Sequence, residues 1–141
     1  MLRLLGFLLV GVFVGVLGTS QALAQKMKVL VNNISSGSVA DEALMKGAPQ
    51  VITSAKGLEK VWKAWRIDDK MPKIDFDKLI VVGVYSVGSK LNLAGATIDE
   101  KGNLDVLGMG TLDIAPGFRF VLGTVSKEGV KTVNGKQLPK E

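Results

Sequence analysis

Carboxylates are the only classical acid/base side chains this sequence offers in number, because its 141 residues contain no histidine and no cysteine. Asp68, Asp69, Asp75 and Asp77 fall together in "RIDDKMPKIDFDK", Arg66 to Lys78. Two such groups can divide the acid and base roles of glycoside hydrolysis, and several can hold calcium through their oxygens. The spacing of these four matches no calcium loop, however, and aspartate is a common turn residue because its side chain bonds nearby backbone amides. Turn-forming is therefore the expected role, with a carboxylate-only glycosidase kept as a third reading.

The missing histidine and cysteine exclude Ser-His-Asp and Cys-His nucleophilic catalysis and zinc sites built on those ligands. "DEKGNLD", Asp99 to Asp105, has acidic residues around a glycine but lacks the order and closing glutamate of a calcium-binding loop. A hairpin turn explains it better. "GMG", Gly108 to Gly110, lacks the following helix whose amides would hold a phosphate. The sequence thus predicts no catalytic residue, no metal ligand and no cofactor, and the protein is read as not an enzyme.

Trp62 and Trp65, the two tryptophans of the chain, raise a different possibility. Leu58, Val61, Trp62 and Trp65 follow i, i+3, i+4 and i+7, with Lys56, Glu59, Lys60 and Lys63 opposite. This spacing predicts an amphipathic helix over 55–66 whose apolar stripe packs on a sheet. Each indole would remove about 150–250 Å² from water, so Trp62 and Trp65 are expected in the structural core.

The remaining elements read as strands. "KMKVLVNNI" predicts a first strand, broken by "SSGS"; "ADEALMKG" reads as loop and "PQVIT" as a short strand. "LIVVGVYSV" is too apolar for a half-exposed edge and predicts a central strand covered on both faces. "LNLAGATI" and "LDVLGM" alternate about a turn at Lys101-Gly102, "GTLDIAPG" is a loop, and "FRFVLGTV" puts Phe118, Phe120 and Leu122 on one face. Asn134-Gly135 suits a two-residue turn with positive φ. Glycine, 17 of 141 residues, is nearly double the usual share of about 7% and punctuates strands and turns. The fold class expected is α+β: one amphipathic helix on a mostly antiparallel, curled sheet of about six or seven strands, as a sandwich or partial barrel.

The first 24 residues have the order of a secretory signal peptide: a basic start, an apolar run to Leu17 and Ala22-Leu23-Ala24 before the expected cleavage. A single domain over 25–141, periplasmic, cell-surface or extracellular, follows, with no stable membrane span once the signal is removed. The formal charge of +5 is spread along the chain, with no basic patch interleaved with aromatics, so nucleic acid is not an expected partner.

"VITSAKGLEKVWKAW", "PKIDFDKLIVVGVYSVG" and the late "GFRFVLGTV" together resemble the PrcB C-terminal-like domain, named for a noncatalytic subunit of a bacterial surface protease complex. Trp65, Pro72, Asp75, Phe76 and the run from Leu79 are the matching positions. The family's Thr-Gly-Gly-Tyr-like turn is replaced here by "VGSKLNLAG", and its acidic helix start by "SAKGLE". The resemblance implies an exported noncatalytic domain that binds or stabilises another exported protein, such as a protease, and it brings no catalytic residues. Loops at one end of a rigid sheet concentrate binding residues, which makes Ser89, Lys90, Met109, Pro116 and Phe118 the expected partner contacts and Trp62, Trp65 and Phe76 the expected core. The competing reading is a small-ligand binder with an apolar pocket between helix and sheet around Trp62 and Trp65.

Overall fold

The computed structural model describes residues 25–140. The signal-peptide reading lies outside the described residues. Strands β1 (Met27–Val29), β2 (Asn32–Val39) and β3 (Val51–Ile52) precede helix α1 (Ala55–Ala64); β4 (Leu79–Ser86), β5 (Leu91–Ile98), β6 (Asn103–Gly110), β7 (Phe118–Ser126), β8 (Thr132–Val133) and β9 (Lys136–Gln137) follow it. They form two sheets, one ordered β2-β7-β4-β3 and the other β1-β5-β6-β8-β9. All pairings are antiparallel except β6 with β8. This is the α+β, sheet-dominated architecture expected, arranged as an unclosed sandwich with the helix on one outer face. The strands number nine among the described residues. The first predicted strand divides in two, and the Asn134-Gly135 turn joins two short strands.

The four-stranded sheet is buried on both faces, which is why β4 is apolar from Leu79 to Val84. Val81 points with Phe118, Phe120 and Leu122 of β7 toward Leu58, Val61, Trp62 and Trp65 of the helix region. Ile80 and Val82 point the other way, with Val125, onto Ala96, Leu104 and Val133 of the second sheet. A strand with its two alternating sets of side chains in two separate cores has no polar position to spare.

Ser54 opens α1 by accepting the Gly57 amide at 3.0 Å, which satisfies one of the unpaired donors of the first turn. The helix stops at Ala64, two residues before the expected end. Trp65 is the C-cap (φ −91°, ψ −1°), and the helical path breaks at Arg66, which takes φ 52°. The return of the chain is held by the Trp62 indole, which donates Nε1–H to the Asp69 carbonyl at 2.7 Å.

Two other local readings are corrected. "SSGS" does not end the first strand but lies inside β2, paired through Ser35, Ser36, Gly37 and Ser38 to Leu122, Val121, Phe120 and Arg119. A Cβ at Gly37 would lie 3.3 Å from the Phe120 ring, so the small side chains suit a strand laid against a large aromatic. "ADEALMKG" forms a short 3-10 turn, Glu42–Met45, started by Asp41, whose carboxylate accepts the Ala43 amide at 3.0 Å.

Candidate functional site

Two connections meet at one end of the sandwich: the β4–β5 turn, 87–90, and the β6–β7 loop, 111–117. Asp113 joins them. Its Oδ1 accepts the Ser89 amide at 3.1 Å and also the Thr111 hydroxyl. Thr111 Oγ1 in turn accepts the Lys90 amide at 3.1 Å and lies 3.3 Å from Ser89 Oγ. Backbone bonds close the ends, from the Thr111 amide to Lys90 O at 3.1 Å and from the Ala115 amide to Val87 O at 2.9 Å. The Arg119 guanidinium donates to the Pro116 carbonyl at the loop's exit.

Between these anchors the chain holds two large aliphatic side chains in water. Leu112 is 103% and Ile114 85% exposed. Leu107 and Met109, alternate residues of β6, share its outer face and are 61% and 63% exposed. Gly108 and Gly110 point inward instead. Cβ atoms there would lie 2.9 Å from Val84 and 2.6 Å from Ser86 Oγ, so these two glycines let β6 approach β4 closely. The "GMG" motif is a packing device inside a strand.

The expected contact residues divide. Ser89, Lys90, Met109 and Pro116 are exposed at this end. Phe118 is not available: it is fully buried, with its ring centroid 5.6 Å from that of Trp65 and 6.3 Å from that of Tyr85. One residue past the loop it has joined β7, and alternation sends it into the core with Phe120. Leu112, Ile114 and Asp113 were not singled out from the sequence. Their signal was an apolar pair set in a loop bounded by Gly110 and Gly117, where no strand or helix periodicity gives those side chains a core to enter.

The Asp113 carboxyl is pulled down to about 2 from its ordinary 3.8, chiefly by the Ser89 hydroxyl, then by the Thr111 hydroxyl and the Ser89 amide. A depressed carboxyl contributes order that is complete above its unfolded value and is lost as pH falls through its folded value. The loop should therefore stay ordered to about pH 4 and loosen between there and about pH 2. Hydrogen exchange at the Ser89 amide checks this; in Asp113→Asn the same amide should exchange faster already at neutral pH. Equal exchange in the two proteins would show that Asp113 does not hold the loop.

Two of the other candidate carboxylates form turns. Asp75 Oδ1 accepts the Asp77 amide at 3.1 Å, and Asp99 Oδ1 accepts the Lys101 and Asn103 amides, each at 2.9 Å. Both are turn-forming contacts. Asp68, Asp69, Asp75 and Asp77 are all exposed, and no cluster of three metal-ligating residues occurs among the described residues. Trp62 and Trp65 are each 7% exposed, and Phe76 packs half-buried against the same core. No helix among the described residues is long and apolar enough to cross a membrane. No family model, curated protein or solved structure matches this chain.

Proposed function

We propose that this chain is an exported, noncatalytic protein-interaction module that docks another exported protein through the 111–116 loop and the adjoining outer face of β6. The observation that carries the reading is Leu112 and Ile114 standing in solvent on a loop whose two ends and middle are hydrogen-bonded in place. Aliphatic side chains exposed on a mobile loop cost binding entropy when they dock; on a pinned loop most of that cost is already met. Leu107 and Met109 extend the apolar surface, and Ser89, Lys90 and Asp113 supply a polar rim. The absence of histidine and cysteine and the resemblance to the PrcB C-terminal-like domain favour an accessory or stabilising subunit of an envelope or secreted protease complex over an enzyme.

The test is a crosslinking capture with the full chain, tagged at its C terminus, in envelope and secreted fractions of the source cell. A single specific partner should bind about 30-fold more weakly to the double variant Leu112→Ser, Ile114→Ser, corresponding to a loss of about 2 kcal/mol at an interface hot spot. The melting temperature should not change, since neither side chain is buried. Undiminished binding by the double variant would move the interface elsewhere, and the absence of any crosslinked partner would remove the reading.

A further inference from the structure

A second feature lies along one side of helix α1. The 3-10 turn, β3, one face of α1 from Gly57 to Ala64 and Pro139 of the C-terminal segment border an open cavity of about 470 Å³, within the range of about 300–1,000 Å³ usual for small-ligand sites. Its wall is mainly apolar, including Leu44, Pro49, Ile52, Val61 and Trp65, and Lys60 stands among the lining residues.

Lys60 is exposed and forms no ion pair with any described residue. The one acidic residue of α1, Glu59, is engaged by Lys63 at 2.7 Å, which holds the Glu59 carboxyl below its ordinary value through that hydrogen bond and charge. The Ser54 hydroxyl at the rim already accepts the Gly57 amide. What the cavity offers an anionic ligand is therefore an apolar wall with one cation, Lys60, that no described carboxylate engages, beside the Ser54 hydroxyl, whose O–H can still donate.

We infer that this cavity binds a single-chain amphiphile with a carboxylate head, of the fatty-acid class, its tail against Leu44, Pro49, Ile52 and Trp65 and its head on Lys60. Charge complementarity selects the anion. Lys56, in the first turn of α1, adds to the attraction, and the one carboxylate of the helix, Glu59, is already engaged by Lys63. The cavity's modest volume selects one chain over the paired chains of a phospholipid.

Gly47 makes the inference testable without disturbing the fold. It lines the cavity, and a Cβ added there would meet nothing within 4 Å. Its backbone is outside the left-handed range that demands glycine. Gly47→Leu should therefore fill the space while leaving the protein folded.

The experiment titrates the protein expressed from Met1 with octanoate, decanoate and dodecanoate below their micelle concentrations, followed by tryptophan emission and by calorimetry. Saturable binding should tighten by about fourfold per methylene until the cavity is full. Lys60→Gln should weaken decanoate about fivefold, as expected for an exposed ion pair, and leave decanol unchanged. Gly47→Leu, with its circular dichroism and melting temperature intact, should lose both ligands. Dodecylammonium should bind more weakly than dodecanoate. The inference is overturned by no saturable heat with any carboxylate, by equal binding of anion, alcohol and cation, or by binding that persists in Gly47→Leu. It is independent of the partner surface, because none of these substitutions touches the 111–116 loop.

Discussion

Trp65→Ala should lower the stability of the protein by about 3–5 kcal/mol, the range for truncating a fully packed aromatic to alanine. Trp65 is the hub of the aromatic core. Its ring lies edge-on to Tyr85 and Phe118, each with centroids 5.6 Å away, and tilted against Phe120 at 5.1 Å. These three neighbours come from β4 and β7, so removing the indole opens a void between the helix layer and the middle of the four-stranded sheet. Since Trp65 is the residue at which α1 ends, the substitution takes little helix propensity with it and the loss reports packing. Guanidinium denaturation followed by circular dichroism measures it. Trp62→Phe is the useful contrast: it keeps an aromatic ring and gives up the hydrogen bond to Asp69 O, for a smaller loss of about 1–2 kcal/mol. A cost below about 1 kcal/mol for Trp65→Ala would mean that the ring is not core and would point to an exposed aromatic surface instead.

The helix and the central strand were legible because their patterns are properties of single segments. Leu58, Val61, Trp62 and Trp65 make a stripe whatever they pack against, and a run such as Leu79 to Val87 admits only a doubly covered strand. Asn134-Gly135 was legible for the same reason: φ of 48° and 78° at these positions is a local demand of the turn. By contrast, "NNISSGSV" carries almost no strand signal of its own. It is a strand because β7 offers it a ladder and Phe120 fills the room that Gly37 leaves. Likewise nothing local marks the place between β1 and β2 where the chain passes from one sheet to the other.

The candidate site was half legible. Loops at the end of the sheet were expected to carry contacts, and Ser89, Lys90, Met109 and Pro116 are exposed there. Phe118 was misassigned because an aromatic beside a glycine-proline loop looks available until β7's register turns it inward. Asp113 was invisible for a deeper reason. Its partners, Ser89 and Thr111, lie in two different connections, and only the pairing of β5 with β6 brings Leu91 opposite Gly110 and so sets the two connections side by side. Tyr85 shows the same limit. It sits in an apolar run, yet it spans the sheet's edge to donate its hydroxyl to the Pro49 carbonyl, and burial raises its pKa far above the ordinary tyrosine value.

Gly117→Ala is expected to be the most damaging change near the site, at about 3 kcal/mol or more. Gly117 takes φ +71°, a conformation that costs an L-residue about 1–2 kcal/mol. Its added Cβ would also fall 2.0 Å from the Val39 carbonyl oxygen and 3.0 Å from the Ala40 Cα. Both are backbone atoms that no rotamer change can move, so relief requires β2 and β7 to separate where Val39 pairs with Phe118, adding about 1–3 kcal/mol of overpacking. Gly135→Ala separates the two contributions, because Gly135 has a similar φ of +78° with nothing within 4 Å of its Cβ position. That variant should lose only the backbone term, about 1–2 kcal/mol. If the two variants melt alike, the close approach at Val39 carries no weight. If Gly117→Ala loses clearly more, the end of the 111–117 loop is fixed by contact with β2 as well as by the Asp113 network. The position of Leu112 and Ile114 is then set from both of the loop's ends, and Gly117→Ala should weaken partner binding even at temperatures where the domain remains folded.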